Sequence, residues 1–168
     1  MAGAFGTGAM SAPLLRLATP GDADAITAFN IAMALETEQL QLLPEVVGAG
    51  VRRVLGDPVL GFYLVAQQGD RPVAGLLVTS EWSDWRNGRF WWIQSVYVVP
   101  DARRRGLFQA LYRHVWALAR DSPDVCGVRL YVEQHNAAAQ ATYRRLGMLE
   151  TGYRLMEALR PGLVWRQE

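Results

Sequence analysis

One stretch of the chain constrains the fold more than any other: an aromatic-rich segment that passes through an arginine–glycine turn into an apolar helix. Residues 89–100, "RFWWIQSVYVVP", are rich in aromatic and β-branched side chains and end at Pro100, which predicts a strand. The residues that follow have helical spacing in two adjacent apolar stripes, one of Leu107, Leu111, Val115 and Leu118 and one of Phe108, Tyr112, Trp116 and Ala119. A helix that is apolar over so much of its surface must be largely covered, so we expect it to lie on a sheet.

The turn between this strand and this helix is strongly basic, with Arg103, Arg104 and Arg105 followed by Gly106. Unpaired backbone N–H groups converge at the start of a helix, and the helix dipole makes that end positive. A glycine lets a ligand approach the backbone, and neighbouring guanidinium groups can fork onto phosphate oxygens. The local chemistry favours a polyphosphate or pyrophosphate site, with a solvated charge run or a nucleic-acid patch as the alternatives. Neither a G-x-x-x-x-G-K-[ST] motif nor a G-x-G-x-x-G motif after a strand is present, which gives little support to a nucleotide triphosphatase or a nicotinamide dehydrogenase.

Charge and cysteine content narrow the classes of partner. The formal net charge of +1 argues against a protein that coats nucleic acid, since such binding neutralises many phosphates. The single cysteine, Cys126, cannot form an internal disulfide, which suits a reducing compartment, and we expect it to be a small buried hydrophobe. One cysteine and two histidines do not favour a structural zinc site. No apolar run is long enough to span a bilayer and the opening residues lack a basic region, so we expect a cytoplasmic protein with no membrane partner.

The pattern along the chain predicts a single domain over residues 14–168, preceded by a mobile tail over residues 1–13. A short strand at 14–18 is followed by a helix that begins near Pro20 and by a second helix at 44–55. Three strands come next: two either side of Gly69-Asp70, and a third after the hairpin signal Asn87-Gly88. After the apolar helix we expect a strand at 125–134, a helix bracketed by Asn136 and Gly147, and a last strand at 148–159. This order predicts an α+β domain around a mixed sheet.

Two segments resemble the GNAT superfamily of N-acetyltransferases. Val98, Pro100, Arg103, Gly106 and the following helix are similar to the acetyl-CoA motif of that family, whose core is Q/R-x-x-G-x-G/A. Phe108 stands where the family usually has Gly or Ala. The second segment, "LYVEQHNAAAQATYRRLGM", has the residues of the next family segment at the expected spacing: Asn136, Ala139, Tyr143, Leu146 and Gly147. Together the two segments cover residues 91–148.

The resemblance implies a fold, a co-substrate and a set of binding residues. The fold would be a mixed, mostly antiparallel sheet flanked by about four helices, and the co-substrate would be acetyl-CoA, with no metal. Val96, Tyr97 and Val98 would offer backbone groups to the pantetheine arm, and the N–H near Val98 or Tyr97 would hold the oxyanion. The pyrophosphate would be surrounded by Arg103, Arg104, Arg105, Gly106, Leu107 and Phe108. Asn136 would bond to CoA or would only cap its helix.

The resemblance also implies the reaction, a direct attack by a primary amine on acetyl-CoA. Tyr143 occupies the position of the family's general acid, and core packing of the last helix is the alternative for that ring. Many relatives carry a Glu in the strand before the turn, where this chain has Gln94 and Ser95. Of the carboxylates Glu36, Glu38 and Glu81, we choose Glu81 as the candidate base, because it ends a strand near the active face of the sheet.

Several points remain open at this stage. The acceptor is a small-molecule or peptide amine, and the resemblance leaves a homodimer open. The alternative function is a non-catalytic module that binds or senses acyl-CoA; the missing strand Glu favours that reading and Tyr143 opposes it. Most members of the tryptophan cluster, which are Trp82, Trp85, Trp91 and Trp92, are predicted to pack in the core or the hairpin.

Overall fold

A computed structural model describes residues 12–167 of the protein. Its five strands are β1 (Leu14–Leu17), β2 (Phe62–Gln68), β3 (Arg71–Ser83), β4 (Gly88–Val98) and β5 (Val125–Leu130). Its four α-helices are α1 (Ala23–Glu38), α2 (Pro44–Gly56), α3 (Leu107–Arg120) and α4 (Ala137–Arg145). Each helix and the first five strands follow the predicted order, so the α+β class is confirmed.

The strands form one sheet in the order β1-β2-β3-β4-β5. The first three pairings are antiparallel, and only β4 and β5 run parallel. The parallel pair is connected through α3, which lies on the sheet as its two apolar stripes predict. The prediction of a mixed, mostly antiparallel sheet with about four helices is therefore confirmed.

The sheet is covered on both faces, by different helices. On one face α3 contributes Leu111 and Val115, both fully buried, to the larger core together with Ile93 of β4. On the other face α1 and α2 contribute Ile26 and Val51 to a smaller core. The two helices that precede β2 and the helix that follows β4 therefore lie on opposite sides of the same strands.

The beginning of α1 is held by a buried acid. Asp22 is 6% exposed and accepts two hydrogen bonds of 2.8 Å from the Arg16 guanidinium. The backbone N–H of Thr19, 2.7 Å away, also donates to the Asp22 carboxylate. The Arg16 hydrogen bonds are the main cause that lowers the pKa of Asp22 from 3.8 to about 2. This network ties β1 to the start of α1, the helix that carries Glu36 toward the centre of β4.

A bulge interrupts the pairing of β3 with β4. Gly75 is opposite Tyr97 and Leu77 is opposite Gln94, so two residues of β4 face a single residue of β3. Ser95, one of the two, has a φ of 51°, in the left-handed region that non-glycine residues rarely occupy. As a result Val98 packs toward the α3 core, whereas the ring of Tyr97 faces α1.

Three predictions about the fold need comment. The last predicted strand is wrong: residues 148–159 form no strand in the described part of the chain, although their pattern alternates. The strand predicted at 125–134 is shorter than expected and ends at Leu130. Cys126, predicted to be buried, is exposed near the start of β5. Residues 1–11 of the predicted mobile tail lie outside the described residues.

Candidate functional site

The sheet opens between β4 and β5. The parallel pairing runs from Arg89 to Ile93 on β4 and from Val125 to Leu130 on β5, and then stops. Beyond Ile93, residues 94–98 keep β3 on one side and have no strand on the other within the described chain. Val96, Tyr97 and Val98, the residues predicted to pair with a pantetheine arm, lie along this open edge.

The backbone of Val98 points to the opening. The N–H of Val99 donates to the Val73 carbonyl of β3 at 3.0 Å, and hydrogen-bond direction alternates along a strand. The N–H and carbonyl of Val98 are therefore turned away from β3. The side chain of Arg103 confirms this direction, since its Nε donates to the Val98 carbonyl at 2.9 Å. Of the two N–H groups considered for an oxyanion, the geometry favours that of Val98.

The basic turn holds its backbone in an unusual shape. Arg104 has a φ of 62° and Gly106 a φ of 75°, so two of three consecutive residues are left-handed. Within residues 12–167 the N–H groups of Arg104, Arg105 and Gly106 donate to no other group. Backbone of this kind turns successive N–H groups toward one side and forms a concave anion site. Space is open around Gly106, where an added Cβ would meet no atom within 4 Å.

The three arginines of the turn have different partners. The Arg105 guanidinium donates to the carbonyl of Asp101 at 2.7 Å, so this side chain folds back across the turn. Arg103 is directed to α1 instead, where its guanidinium lies 2.5 Å from the Glu36 carboxylate. Arg104 makes no ion pair within the described chain. The guanidinium of Arg103 is therefore shared between the Val98 carbonyl and the Glu36 carboxylate.

Glu36, Tyr97 and Arg103 form a cluster that the sequence reasoning missed. The Tyr97 hydroxyl donates to the Glu36 carboxylate at 2.7 Å, and the Arg103 guanidinium lies over the Tyr97 ring, 5.4 Å from its centre. The hydrogen bond from Tyr97, followed by that from Arg103, lowers the pKa of Glu36. Burial and the Glu36 carboxylate raise the pKa of Tyr97. At neutral pH Glu36 is therefore ionised, and its oxygens already accept two donors.

Tyr143 lies on α4 against the first turn of α3. Its ring meets the Phe108 ring edge-on, with ring centres 5.3 Å apart. Phe108, which stands where the family usually has Gly or Ala, therefore contacts the candidate acid. Burial raises the pKa of Tyr143 above its ordinary value, which keeps the hydroxyl protonated at neutral pH. In the described chain that hydroxyl has no hydrogen-bond partner. Asn136 caps α4 as predicted, since its side-chain oxygen accepts the Ala139 N–H at 3.0 Å.

Glu81 belongs to an aromatic and charged cluster on the part of the sheet where β4 and β5 are still paired. Its carboxylate accepts a short hydrogen bond from the Trp92 indole and pairs with Arg129 of β5 at 2.9 Å. Trp92 stacks on Tyr131, with ring centres 4.4 Å apart. Gln94, two residues along β4 on the same face, donates to the Thr79 hydroxyl at 2.5 Å. Glu81 is thus an exposed acid beside an aromatic surface.

The tryptophans divide into two groups. Trp91 is buried in the larger core, as predicted, and contacts Phe62. Trp82 and Trp85 are 57% and 83% exposed, so the prediction that most of the cluster packs is wrong. Trp92 contributes its indole to the cluster around Glu81.

The predicted residues therefore fall into three groups, two of which lie at the opening: the β4 edge, and the basic turn with Phe108 and Tyr143. Glu81, the third, is in register with Phe90 on the α1 face of the sheet, where β4 and β5 are still paired. The fold and this arrangement define a class: an α+β domain whose parallel strand pair separates beside a candidate anion-binding helix start. Among residues 12–167, no group of three His, Cys, Asp or Glu side chains is placed to hold a metal ion.

The chain belongs to the acetyltransferase (GNAT) family, whose pattern it matches over residues 32–148. The solved structure of a possible acetyltransferase from Clostridium difficile 630 is 41% identical, with a TM-score of 0.83, and the match covers 89% of this chain and 99% of that one. None of the curated proteins matches. No helix in the described part of the chain is long and apolar enough to cross a membrane.

More distant structures share the fold. A ribosomal-protein-alanine N-acetyltransferase from Brucella melitensis biovar Abortus 2308 is 16% identical with a TM-score of 0.70, over 90% of this chain and 100% of that one. An aminoglycoside acetyltransferase from an uncultured soil metagenomic sample is 18% identical, with a TM-score of 0.70, over 89% of this chain and 100% of that one. These two names point to different acceptors on one fold, so the fold does not specify an acceptor.

Proposed function

We propose that the chain transfers an acetyl group from acetyl-CoA to a primary amine by direct attack through a tetrahedral intermediate. One observation carries the proposal: the open edge of β4 lies next to a turn whose N–H groups have no partner within residues 12–167. An extended pantetheine arm can add to such an edge as a strand does, while a diphosphate takes the turn. Membership of the GNAT family supports the same assignment.

The residues at the turn fit a diphosphate. The free N–H groups of Arg104, Arg105 and Gly106 supply donors, and the start of α3 at Leu107 and Phe108 adds the positive end of a helix dipole. Among the described residues no acid pairs with Arg104, so its guanidinium can add a charge-assisted hydrogen bond. Arg103 can contribute as well. Asn136 is committed to capping α4 through its oxygen, which leaves its amide N–H₂ for CoA.

The reaction needs a group that polarises the thioester carbonyl and a group that donates a proton. The Val98 N–H at the open edge polarises the thioester carbonyl and stabilises the oxyanion of the intermediate. The Tyr143 hydroxyl, protonated at neutral pH and without a partner in the described chain, donates a proton to the departing CoA thiolate. The nitrogen of the intermediate then loses its remaining extra proton, which restores the Tyr143 hydroxyl, and the products are an N-acetylated amine and CoA.

The incoming ammonium must also lose a proton. We assign this step to Glu81, directly or through a water, because it is the exposed carboxylate beside an aromatic surface on the acceptor side. Glu36, whose carboxylate accepts hydrogen bonds from Tyr97 and Arg103, is the alternative base. Trp92 and Tyr131 offer a flat surface on which a small-molecule or peptide amine can pack.

The test measures release of CoA thiol from acetyl-CoA with a panel of amines, alongside calorimetric binding of acetyl-CoA. We expect acceptor-dependent release, and we expect Tyr143→Phe to lower kcat by about 100-fold or more while acetyl-CoA affinity changes little. Tyr153→Phe, at an exposed tyrosine, is the matched control and should leave kcat unchanged. Tight acetyl-CoA binding without release for any amine would instead indicate a binding or sensing module. Unchanged kcat in Tyr143→Phe would remove Tyr143 as the acid.

A further inference from the structure

Helix α4 gives Tyr143 little support of its own. In the sequence of α4, "AAAQATYRR", the other apolar residues are alanines, so Tyr143 is the only large apolar side chain of this helix. None of the residues of α4 is buried. The next anchors lie beyond the helix, where Leu146 and Met148 pack against the larger core. The orientation of Tyr143 therefore depends mainly on what its ring contacts.

Packing, not hydrogen bonding, orients the Tyr143 ring. Among residues 12–167 its hydroxyl has no hydrogen-bond partner, and burial alone raises its pKa. Phe108 is the only aromatic residue in the same range whose ring contacts it, edge-on at 67° with ring centres 5.3 Å apart. An edge-to-face pair favours a particular angle between the two rings as well as a distance. The ring of Phe108 is thus the contact that best defines the position of the Tyr143 ring.

Phe108 is itself held firmly. It lies in the first turn of α3 and packs against the larger core. Its ring centre is 6.1 Å from that of Tyr112, one turn further along the helix. Tyr112 and Leu107, the residue that precedes Phe108, are both buried. A side chain packed against buried neighbours can act as a rigid support for a helix that has few anchors.

The same residue also belongs to the candidate anion site. Phe108 is the second residue of α3 after Gly106, and N–H groups in the first turn of a helix have no partner within the helix. Its backbone therefore lies where the diphosphate is proposed to bind, and its ring contacts the proposed acid. One rigid residue can in this way set the distance between the bound donor and the Tyr143 hydroxyl.

We propose that Phe108 is a positioning residue, whose ring sets the angle at which Tyr143 presents its hydroxyl to the departing CoA thiolate. The inference rests on the proposed function, in which Tyr143 is the acid. The hydroxyl lies at the far end of the ring, so a tilt of the ring moves this oxygen more than any other atom of the side chain. A displacement of about 1 Å at a reacting group can lower a rate by about 100-fold.

Truncation of Phe108 in two steps tests the proposal by steady-state kinetics and calorimetry. We expect Phe108→Ala to lower kcat about tenfold or more, and Phe108→Leu, which refills part of the space, to lower it about threefold. Acetyl-CoA affinity should stay within about threefold of the wild type, because the backbone donors of the turn remain. Trp116→Ala, which removes a ring elsewhere on α3, is the matched control and should leave kcat unchanged. Wild-type kcat in every folded Phe108 variant would overturn the proposal, and Phe108→Leu carries the test if Phe108→Ala does not fold.

A second substitution separates positioning from a general loss of structure. In the Tyr143→Phe background either Phe108 variant should lower kcat further by less than about twofold, since no hydroxyl remains to be positioned. An equal loss in both backgrounds would indicate a structural defect and would overturn the proposal. Failure of the proposed function gives a different result. No turnover with any amine, or unchanged kcat in Tyr143→Phe, would refute the proposed acid and with it the role of Phe108 in catalysis.

Fluorine NMR of protein labelled with fluorotyrosine measures the contact without turnover. The Tyr143 resonance is the one that Tyr143→Phe removes. In the folded Phe108 variants we expect it to move toward the resonance of Tyr153, which is 82% exposed, whereas Trp116→Ala should leave it in place. A Tyr143 resonance that does not respond to truncation of Phe108 would overturn the positioning role and would leave the assignment of Tyr143 as the acid intact.

Discussion

Replacement of Asp22 by Asn should destabilise the protein by an amount that depends on pH. Asp22 has a pKa of about 2 in the folded protein against an ordinary value of 3.8. At about 1.4 kcal/mol for each pH unit, this difference corresponds to about 2 kcal/mol of stability for the ionised acid. Asn resembles the protonated acid, so Asp22→Asn should lose about 2 kcal/mol at pH 7. Since the folded pKa is lowered, the contribution is complete above pH 4 to 5 and is lost as the pH falls toward 2.

Urea unfolding followed by tryptophan fluorescence at pH 7, 5, 4 and 3 measures the effect. The difference between wild type and Asp22→Asn should shrink to about half by pH 3, because the unfolded wild-type chain then binds more protons than the folded one. Asp24→Asn is the matched control: Asp24 pairs with Arg52, but its side chain is 90% exposed. Its loss should stay below about 0.5 kcal/mol. An Asp22→Asn variant that is no less stable than Asp24→Asn, or whose loss is the same at pH 7 and pH 3, would refute the reasoning.

Two further predictions concern the site. The double variant Arg104→Ala with Arg105→Ala should bind acetyl-CoA about tenfold or more weakly by calorimetry, with unchanged thermal stability. Arg120→Ala, at the far end of α3, is the control and should bind acetyl-CoA as the wild type does. Equal affinities of the double variant and the wild type would exclude a phosphate role for the turn. Glu81→Gln should lower kcat at pH 7, and its kcat should approach that of the wild type as the pH rises, because a larger share of the amine is then already deprotonated. Glu38→Gln, at another exposed acid, is the control. A loss of kcat that is constant with pH would contradict the role of Glu81 as a base.

The parts of the site that depend on local pattern could be predicted from the sequence. In each case one residue type signals the element: Pro100 marks the end of a strand, Gly106 marks a turn, and Asn136 marks the start of a helix. Ser95 and Arg104 offered no such signal, since both are left-handed and neither is a residue that prefers this region. The contact between Glu36 and Arg103 spans 67 positions and depends on how α1 lies on β4. No local pattern contains that information.

Residues 149–155 show why a sequence pattern can predict the wrong element. Their alternation is typical of a strand, but a strand forms only where another backbone accepts its hydrogen bonds. The pattern says which side chains share a face and says nothing about which edge lies beside them. In the described chain no sheet edge is paired with these residues, so the predicted strand is absent.

The bulge at Ser95 explains how neighbouring residues of β4 at the opening direct their side chains to opposite faces of the sheet. In an uninterrupted strand residues 93, 95 and 97 would share a face, because side chains alternate with a period of two. Ile93 lies in the α3 core, so without the extra residue the ring of Tyr97 would also point there. With the bulge, Tyr97 faces α1 and reaches Glu36, while Val96 and Val98 pack toward α3. The backbone of Val98 then opens toward the turn that carries the arginines. A donor anchored near α3 and an acceptor lying on the α1 face would thus meet at the same edge from opposite sides of the sheet.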